Sequence, residues 1–365
     1  MKKSLIALAV LASSGAAMAQ SSVTIYGLMD VWVGSTKTDI SSTIVPAANG
    51  STRNSVLNSG GLATSRIGFK GTEDLGGGLK ANFTIETAIS PDAPQATRLG
   101  SRIAKVGLSG GFGEINLGPD WTPYDNTRFA ANDTFTANIA SSFSTWLSYE
   151  DNPNNMVAYT TPSFGGLTGS VAYAFGEDKT AAPGSKASSI TSLSLNYAAG
   201  PVVAGIAHQQ QKQNGANGTF SAIPGFLTDP LVVAAFTLGN GKTSYTLING
   251  SYDLGALKVV AGFNTVKHVE TGVAGSTKAN EYNIGLEAPL GANLTIGGGY
   301  AQSKIKDNGT AVAKTTGYSV VAKYALSKRT LAYTAVTQTK LKAQPTASDL
   351  TVKSSLFAVG VQHSF

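Results

Sequence analysis

Three histidines, His208, His268 and His363, are the only imidazole bases in this 365-residue chain, which has no cysteine. Nucleophilic serine chemistry needs a histidine within hydrogen-bond reach, and no Gly-x-Ser-x-Gly elbow accompanies any of the three. The histidines do not cluster and no thiol is available, so a zinc site has no ligand set. GNGKTSY (Gly239–Tyr245) ends like a phosphate-cradling loop, but the position five before Gly241 is Phe236, not glycine, and the next residues alternate as a strand. No catalytic residue, metal or cofactor is expected. What remains is fixed charge: 27 basic and 21 acidic residues, whose placement can set a field but breaks no bond.

The elements that must position those charges have a period of two. VTIYGLMDVWVG sets Val23, Ile25, Gly27, Met29, Val31 and Val33 against Tyr26, Leu28, Asp30 and Trp32. SRIGFKG, LKVVAGF and YSVVAKYAL alternate in the same way, the pattern of half-buried antiparallel strands. No segment carries a sustained 3.6-residue apolar stripe. About sixteen candidate strands follow one another, and their connectors alternate in length. EDLGGG, GGFG, PSFGG, AAGP, LGA, APLGAN and SKR are short; the joints near 35–59, 89–101, 119–154, 176–186, 212–242, 270–279, 306–315 and 342–353 are long and polar. Short turns on one rim and long loops on the other describe an up-and-down transmembrane barrel.

The two ends of the chain fit that reading. MKKSLIALAVLASSGAAMAQ has a basic start, a short apolar run and Ala17-Met18-Ala19, so residues 1–19 are expected to be a cleaved signal peptide and 20–365 a single barrel domain. The apolar run is too short to span a bilayer as a helix. Loss of Lys2 and Lys3 takes the formal charge from +6 to +4, too little to argue for a nucleic-acid partner. The other end, FAVGVQHSF, alternates apolar and small or polar residues to the last position. Lipid offers no partner to backbone N–H and C=O groups, so an open sheet edge is forbidden there. The terminal stretch is therefore expected to be the seam, pairing with the first strand, with Phe365 at the depth of an aromatic girdle.

SSVTIYGLMDVWV, SRIGFKGTEDLGGGLKANF, VGLSGGFGEINLG, NNMVAYTTPSFGGLTGSVAY and the terminal GVQHSF resemble the general porins of the beta-proteobacterial outer membrane, through nearly the whole mature chain. The resemblance implies an all-β, 16-stranded antiparallel barrel in the outer membrane, with an inward-folded third loop and a water-filled lumen passing small hydrophilic solutes and ions. It also implies a homotrimer, contacts with outer-membrane lipid and lipopolysaccharide, and a terminal aromatic, Phe365, that is the signal read by the barrel-assembly machinery.

In similar porins, wall arginines face carboxylates on the third loop. Arg66 and Arg102 fall on the two wall arginines, and alternation turns Arg66 away from the lipid-facing Ile67 and Phe69. The third loop carries Asp120, Asp125 and Asp133; Asp125 and Asp133, well inside it, are expected to face inward. The chain departs from the family where Gly118-Pro119-Asp120 replaces Gly-Arg-Gln and where Asn152 replaces an arginine. Two wall positives are lost, so the family's anion preference is expected to weaken towards a near-neutral or weakly cation-preferring pore. Parity with Arg102 places Lys105 on the outward face, at a trimer contact or near a rim.

A substrate-selective uptake channel is the alternative on the same scaffold, with QKQNGANGTFSAIPGFLTDP as its vestibule. An outer-membrane barrel enzyme or a secreted β-rich adhesin is more distant. A soluble sandwich would carry charge along its outward faces, and these alternating faces are nearly free of it.

Overall fold

The computed structural model describes residues 22–43, 46, 49–93, 97–130, 138, 145–181, 185–214, 220–221, 237–343 and 349–365. The expected signal peptide, Asp133 and most of the fifth long loop lie outside them. In chain order the elements are β1 (Ser22–Ser42), β2 (Gly50–Ser59), β3 (Arg66–Gly76), β4 (Leu79–Ala88), β5 (Ile103–Gly110), β6 (Gly113–Leu117) and the helix α1 (Pro123–Ala130). Then come β7 (Met156–Thr160), β8 (Leu167–Phe175), β9 (Ser189–Ala199), β10 (Val202–Gln213) and a two-residue pair, β11 (Phe220–Ser221) and β12 (Thr237–Leu238). The last seven are β13 (Gly241–Asp253), β14 (Lys258–Glu270), β15 (Thr277–Leu290), β16 (Leu294–Asp307), β17 (Thr310–Ala325), β18 (Thr330–Ala343) and β19 (Leu350–Ser364).

Each main strand pairs antiparallel with its neighbours, and β1 pairs with β19 from Leu28↔Ser364 to Ser42↔Leu350, which closes the ring. The main sheet has 17 strands but 16 staves, because β2 and β3 lie end to end against β1. Val31–Ile40 pair with β2, Ser22–Leu28 with β3, and residues 60–65 interrupt the stave between them. Closure leaves no edge to be satisfied by lipid. Residues 35–42 and 50–59, expected in a long loop, are strand instead: the first hairpin continues the wall upward.

The faces follow the alternation. Val23, Ile25, Met29 and Val33 are exposed outward, whereas Leu28, Asp30 and Trp32 are buried on the inner face. On β19, Phe357, Val359 and Val361 point out. The turn between β3 and β4 holds Gly76, Gly77 and Gly78 at φ +85°, +61° and +81°, three successive left-handed residues that only glycine adopts without cost.

Wall height is uneven. β5, β6 and β7 have 8, 5 and 5 residues, whereas β17 has 16. The inner face of β10 and β13–β19 is filled rather than open. Tyr124, Trp146 and Leu147 of the third loop pack there with Ala207, Tyr245, Leu247, Val266 and Ala301, all buried.

Candidate pore constriction

After β6 the chain turns at Gly118 (φ +114°), where a Cβ would stand 2.2 Å from the Ala104 carbonyl oxygen. Thr122 then starts α1: its hydroxyl accepts from the Asp125 N–H (3.2 Å), and Pro123 occupies the first helical position. The loop is tied to the inner wall along its course. The Tyr124 N–H donates to Ser192 Oγ (3.0 Å), Asn249 Nδ2 to the Thr127 carbonyl (2.7 Å), and the Leu147 N–H to Glu281 Oε1 (2.7 Å). Tyr245 donates to the Ser148 carbonyl (2.8 Å) and Gln209 to that of Glu150 (2.7 Å). The third loop is folded into the barrel.

Opposite the helix, on β1 and β3–β6, lies a charged wall. Register puts Arg66 beside Leu28 and Glu86 beside Gly68, on the same inner face as Tyr26. Glu86 is the hub. Its carboxylate meets Arg102 Nε at 2.7 Å and Arg66 Nε at 3.4 Å, and accepts from the Tyr26 hydroxyl at 3.0 Å. The Arg102 guanidinium also lies 4.9 Å from the Trp121 ring centre, so wall and loop touch. Sequence reasoning found both arginines and missed Glu86, although alternation along LKANFTIETA points Lys80, Asn82, Thr84 and Glu86 the same way. Trp121 carried no signal of its own.

Lys105 lies on the face opposite to the one expected. It stands across from Thr84, which stands across from Lys70, both on the lumen side, while Val106 and Leu108 are exposed outward. Parity with Arg102 fails because Arg102 precedes the strand: Gly100 (φ +76°) turns the chain, and β5 begins only at Ile103. Lys105 Nζ pairs with Asp120 Oδ2 at 2.6 Å and approaches Glu114 at 3.9 Å. Asp120 is therefore bound to the wall rather than offered to the lumen.

Asp125 is buried between helix and barrel. It accepts from the Tyr149 hydroxyl, and burial pushes its carboxyl up to about 7. Burial likewise raises Glu150 and Asp151. Arg128, also buried, sits 5.0 Å from the Tyr149 ring centre and 5.5 Å from that of Trp146, inside the packing rather than in the channel. The third expected acid, Asp133, lies outside the described residues.

A second device holds the far side of the loop. The Asp30 carboxylate, fully buried, accepts the backbone N–H groups of Gly61 (3.1 Å), Leu62 (2.8 Å) and Ala63 (2.9 Å). It also accepts from the Tyr333 hydroxyl (2.6 Å) and Gln362 Nε2 (3.1 Å). The interrupted stave is thus clasped inward to the seam, and Asn138 of the third loop donates to the Gly60 carbonyl at 3.0 Å.

A closed barrel with a charged inner wall and a loop folded across it is a channel, and the comparisons place it. The model of the Gram-negative porin family matches residues 4–344. The chain belongs to that family. This porin is 35% identical to outer membrane porin protein 32 of Delftia acidovorans over 91% of its own length and 88% of that protein. It is 30% identical to an outer membrane porin protein of Bordetella pertussis over the whole of both chains. Among solved structures, an anion-selective porin from Comamonas acidovorans superposes with a TM-score of 0.75 at 27% identity, covering 95% of this porin and all of that chain. The porin is an outer-membrane β-barrel that forms a diffusion channel, as the residue pattern anticipated.

Proposed function

We propose that the porin is a general diffusion channel with a weak anion preference, its eyelet formed by Arg66, Arg102, Glu86 and Trp121. The observation that supports this is the charge balance at that level: two guanidiniums converge on one carboxylate. Asp120 is occupied by Lys105 and Asp125 is withdrawn by burial, so of the four described acids of the third loop only Glu150 and Asp151 are left to oppose the arginines. Below the eyelet, Lys70 adds a positive charge on the same face, beside Thr84 and the Lys105–Asp120 pair. The anion-selective Comamonas relative makes the same preference reasonable here. This reading runs against the near-neutral or cation-preferring expectation drawn from the loss of two family arginines. A salt-gradient reversal potential tests it: a small anion-directed potential supports the reading, and a cation-directed one overturns it.

A homotrimer belongs to the same reading. At ~3.3 Å per residue and a tilt of ~40°, a five-residue strand rises roughly 13 Å, well short of the ~25 Å apolar band a lipid-facing wall presents. β6 and β7 are that short, and their outward Ile115, Leu117 and Val157 are exposed. Neighbouring subunits would cover this low side. Cross-linking in the membrane that yields only monomer would overturn it. Residues 1–19 act as the export signal, and Phe365, with its outward ring, as the residue read by the assembly machinery.

A further inference from the structure

Between the eyelet and the short turns, the inner wall around β3–β5 holds a niche of about 450 Å³. Lys70, Lys80, Lys105, Thr84, Ser109 and Glu114 are among the residues that line it. Register fixes the layout. Lys70 stands across from Thr84 on one side, and Lys105 across from Thr84 on the other. Lys80 stands across from Ser109, four residues nearer the turn than Thr84, which is roughly 13 Å of strand. One end of the niche therefore has Lys70 and the other Lys80. Tyr26 joins the upper end to the eyelet: its ring centre lies 5.2 Å from Lys70 Nζ, and its hydroxyl donates to Glu86.

The three lysines are not equivalent. Lys105 is engaged by Asp120 (2.6 Å) and approached by Glu114 (3.9 Å). Among the described residues no acid lies within ion-pair distance of Lys70 or Lys80. Asp74, the register partner of Lys80, accepts from the Gly76 N–H (2.8 Å) instead. The uncharged groups are arranged as donors. Thr72 donates to Asn82 Oδ1 (2.9 Å), and Asn82 Nδ2 donates to Ser109 Oγ (2.8 Å). Ser109 is the acceptor at the end of that chain, so its own proton is left for a ligand, and Thr24 and Thr84 bring two further hydroxyls to the lining. Two ammoniums without acids and three hydroxyls, spread over one wall, suit a compact oxyanion with acceptors on every side. Planar carboxylates are matched by arginine forks, and the guanidiniums of this wall, Arg66 and Arg102, are spent at the eyelet.

We infer that this niche is a binding site for phosphate oxyanions, inorganic phosphate and small phosphate esters, which rest between Lys70 and Lys80 on the short-turn side of the eyelet. The inference rests on the channel's admitting anions and names the class of solute held beyond its narrowest point.

The test uses the intact porin in a planar bilayer, with potassium chloride carrying the current and inorganic phosphate, as its dianion, added to one side at a time. Wild-type conductance should fall and level off as phosphate rises, with a lower half-blocking concentration from the short-turn side than from the long-loop side. Lys80→Gln should raise that concentration about tenfold, as for the loss of one hydrogen bond to a charged group. Lys70→Gln should act in the same direction, and Lys80→Arg should keep the value close to wild type. Arg66→Ala, which alters the eyelet, should leave the short-turn value nearly unchanged. A block lost in Arg66→Ala and kept in Lys80→Gln would move the phosphate to the eyelet and overturn the niche, as would a wild-type conductance indifferent to phosphate. The chloride reversal potential of the same channels separates the two readings. A cation-directed potential overturns the anion preference, whereas a phosphate block that weakens in Lys80→Gln supports the niche whatever the sign of that potential.

Discussion

The ring of Phe365 lies across the outer face of Gly27. The two residues exchange backbone hydrogen bonds, from the Gly27 N–H to the Phe365 carbonyl (3.1 Å) and from the Phe365 N–H to the Gly27 carbonyl (3.0 Å). A Cβ on Gly27 would come within 2.6 Å of the ring and 2.5 Å of the Arg66 carbonyl oxygen. The last residue is thus seated in a slot that the first strand leaves open, which is why the chain can end on an aromatic.

Gly27→Ala should therefore loosen the seam, by about 1–3 kcal/mol for an overpacked site that cannot relax. The expected outcome is a lower heat-modifiability midpoint and less assembled protein, with Phe365→Ala reducing assembly as well. If Gly27→Ala melts and assembles as wild type does, the slot has no role in closure.

Replacing Asp30 by alanine removes the acceptor for the buried N–H groups of Gly61 and Leu62 and the half-buried one of Ala63, each buried group costing ~1–3 kcal/mol when unsatisfied. Tyr333→Phe removes one donor and should be milder. Because the 60–63 turn meets Asn138, Asp30→Ala should also raise open-channel noise in single-channel records. A variant as quiet and as stable as wild type would show that the clasp holds nothing.

Burial raises the Asp125 carboxyl to about 7, so the packed loop binds more protons than the detached loop between about pH 4 and pH 7. Stability then falls as pH rises through that window, by an upper bound of about 4 kcal/mol. Melting followed from about pH 4 to about pH 8 should show this slope, and Asp125→Asn should flatten it. Glu150 and Asp151, raised in the same direction, leave a remainder. An unchanged slope in Asp125→Asn would place the titration elsewhere.

The residues that sequence read correctly are those governed by alternation alone. Arg66 turns inward because Ile67 and Phe69 must turn out, and the terminal strand meets the first because lipid tolerates no edge. Lys105 was misread because counting parity from Arg102 assumes that Arg102 already lies in the strand, which begins only at Ile103. Asp125 was read as facing the lumen because depth within a loop says nothing about which side a helix packs. Asp30 looked like one more inward polar residue; its role depends on a break in the next stave and on two strands more than 300 residues away.

The eyelet gives the most direct test: the reversal potential across a planar bilayer under a salt gradient, for wild type, Arg66→Ala, Arg102→Ala and Glu86→Gln. The account predicts a weakly anion-directed potential in wild type, a shift towards cations in either arginine variant, and a shift further towards anions in Glu86→Gln. Potentials that stay at the wild-type value in all three variants would contradict it, since the field at the narrowest point would then be set by other residues.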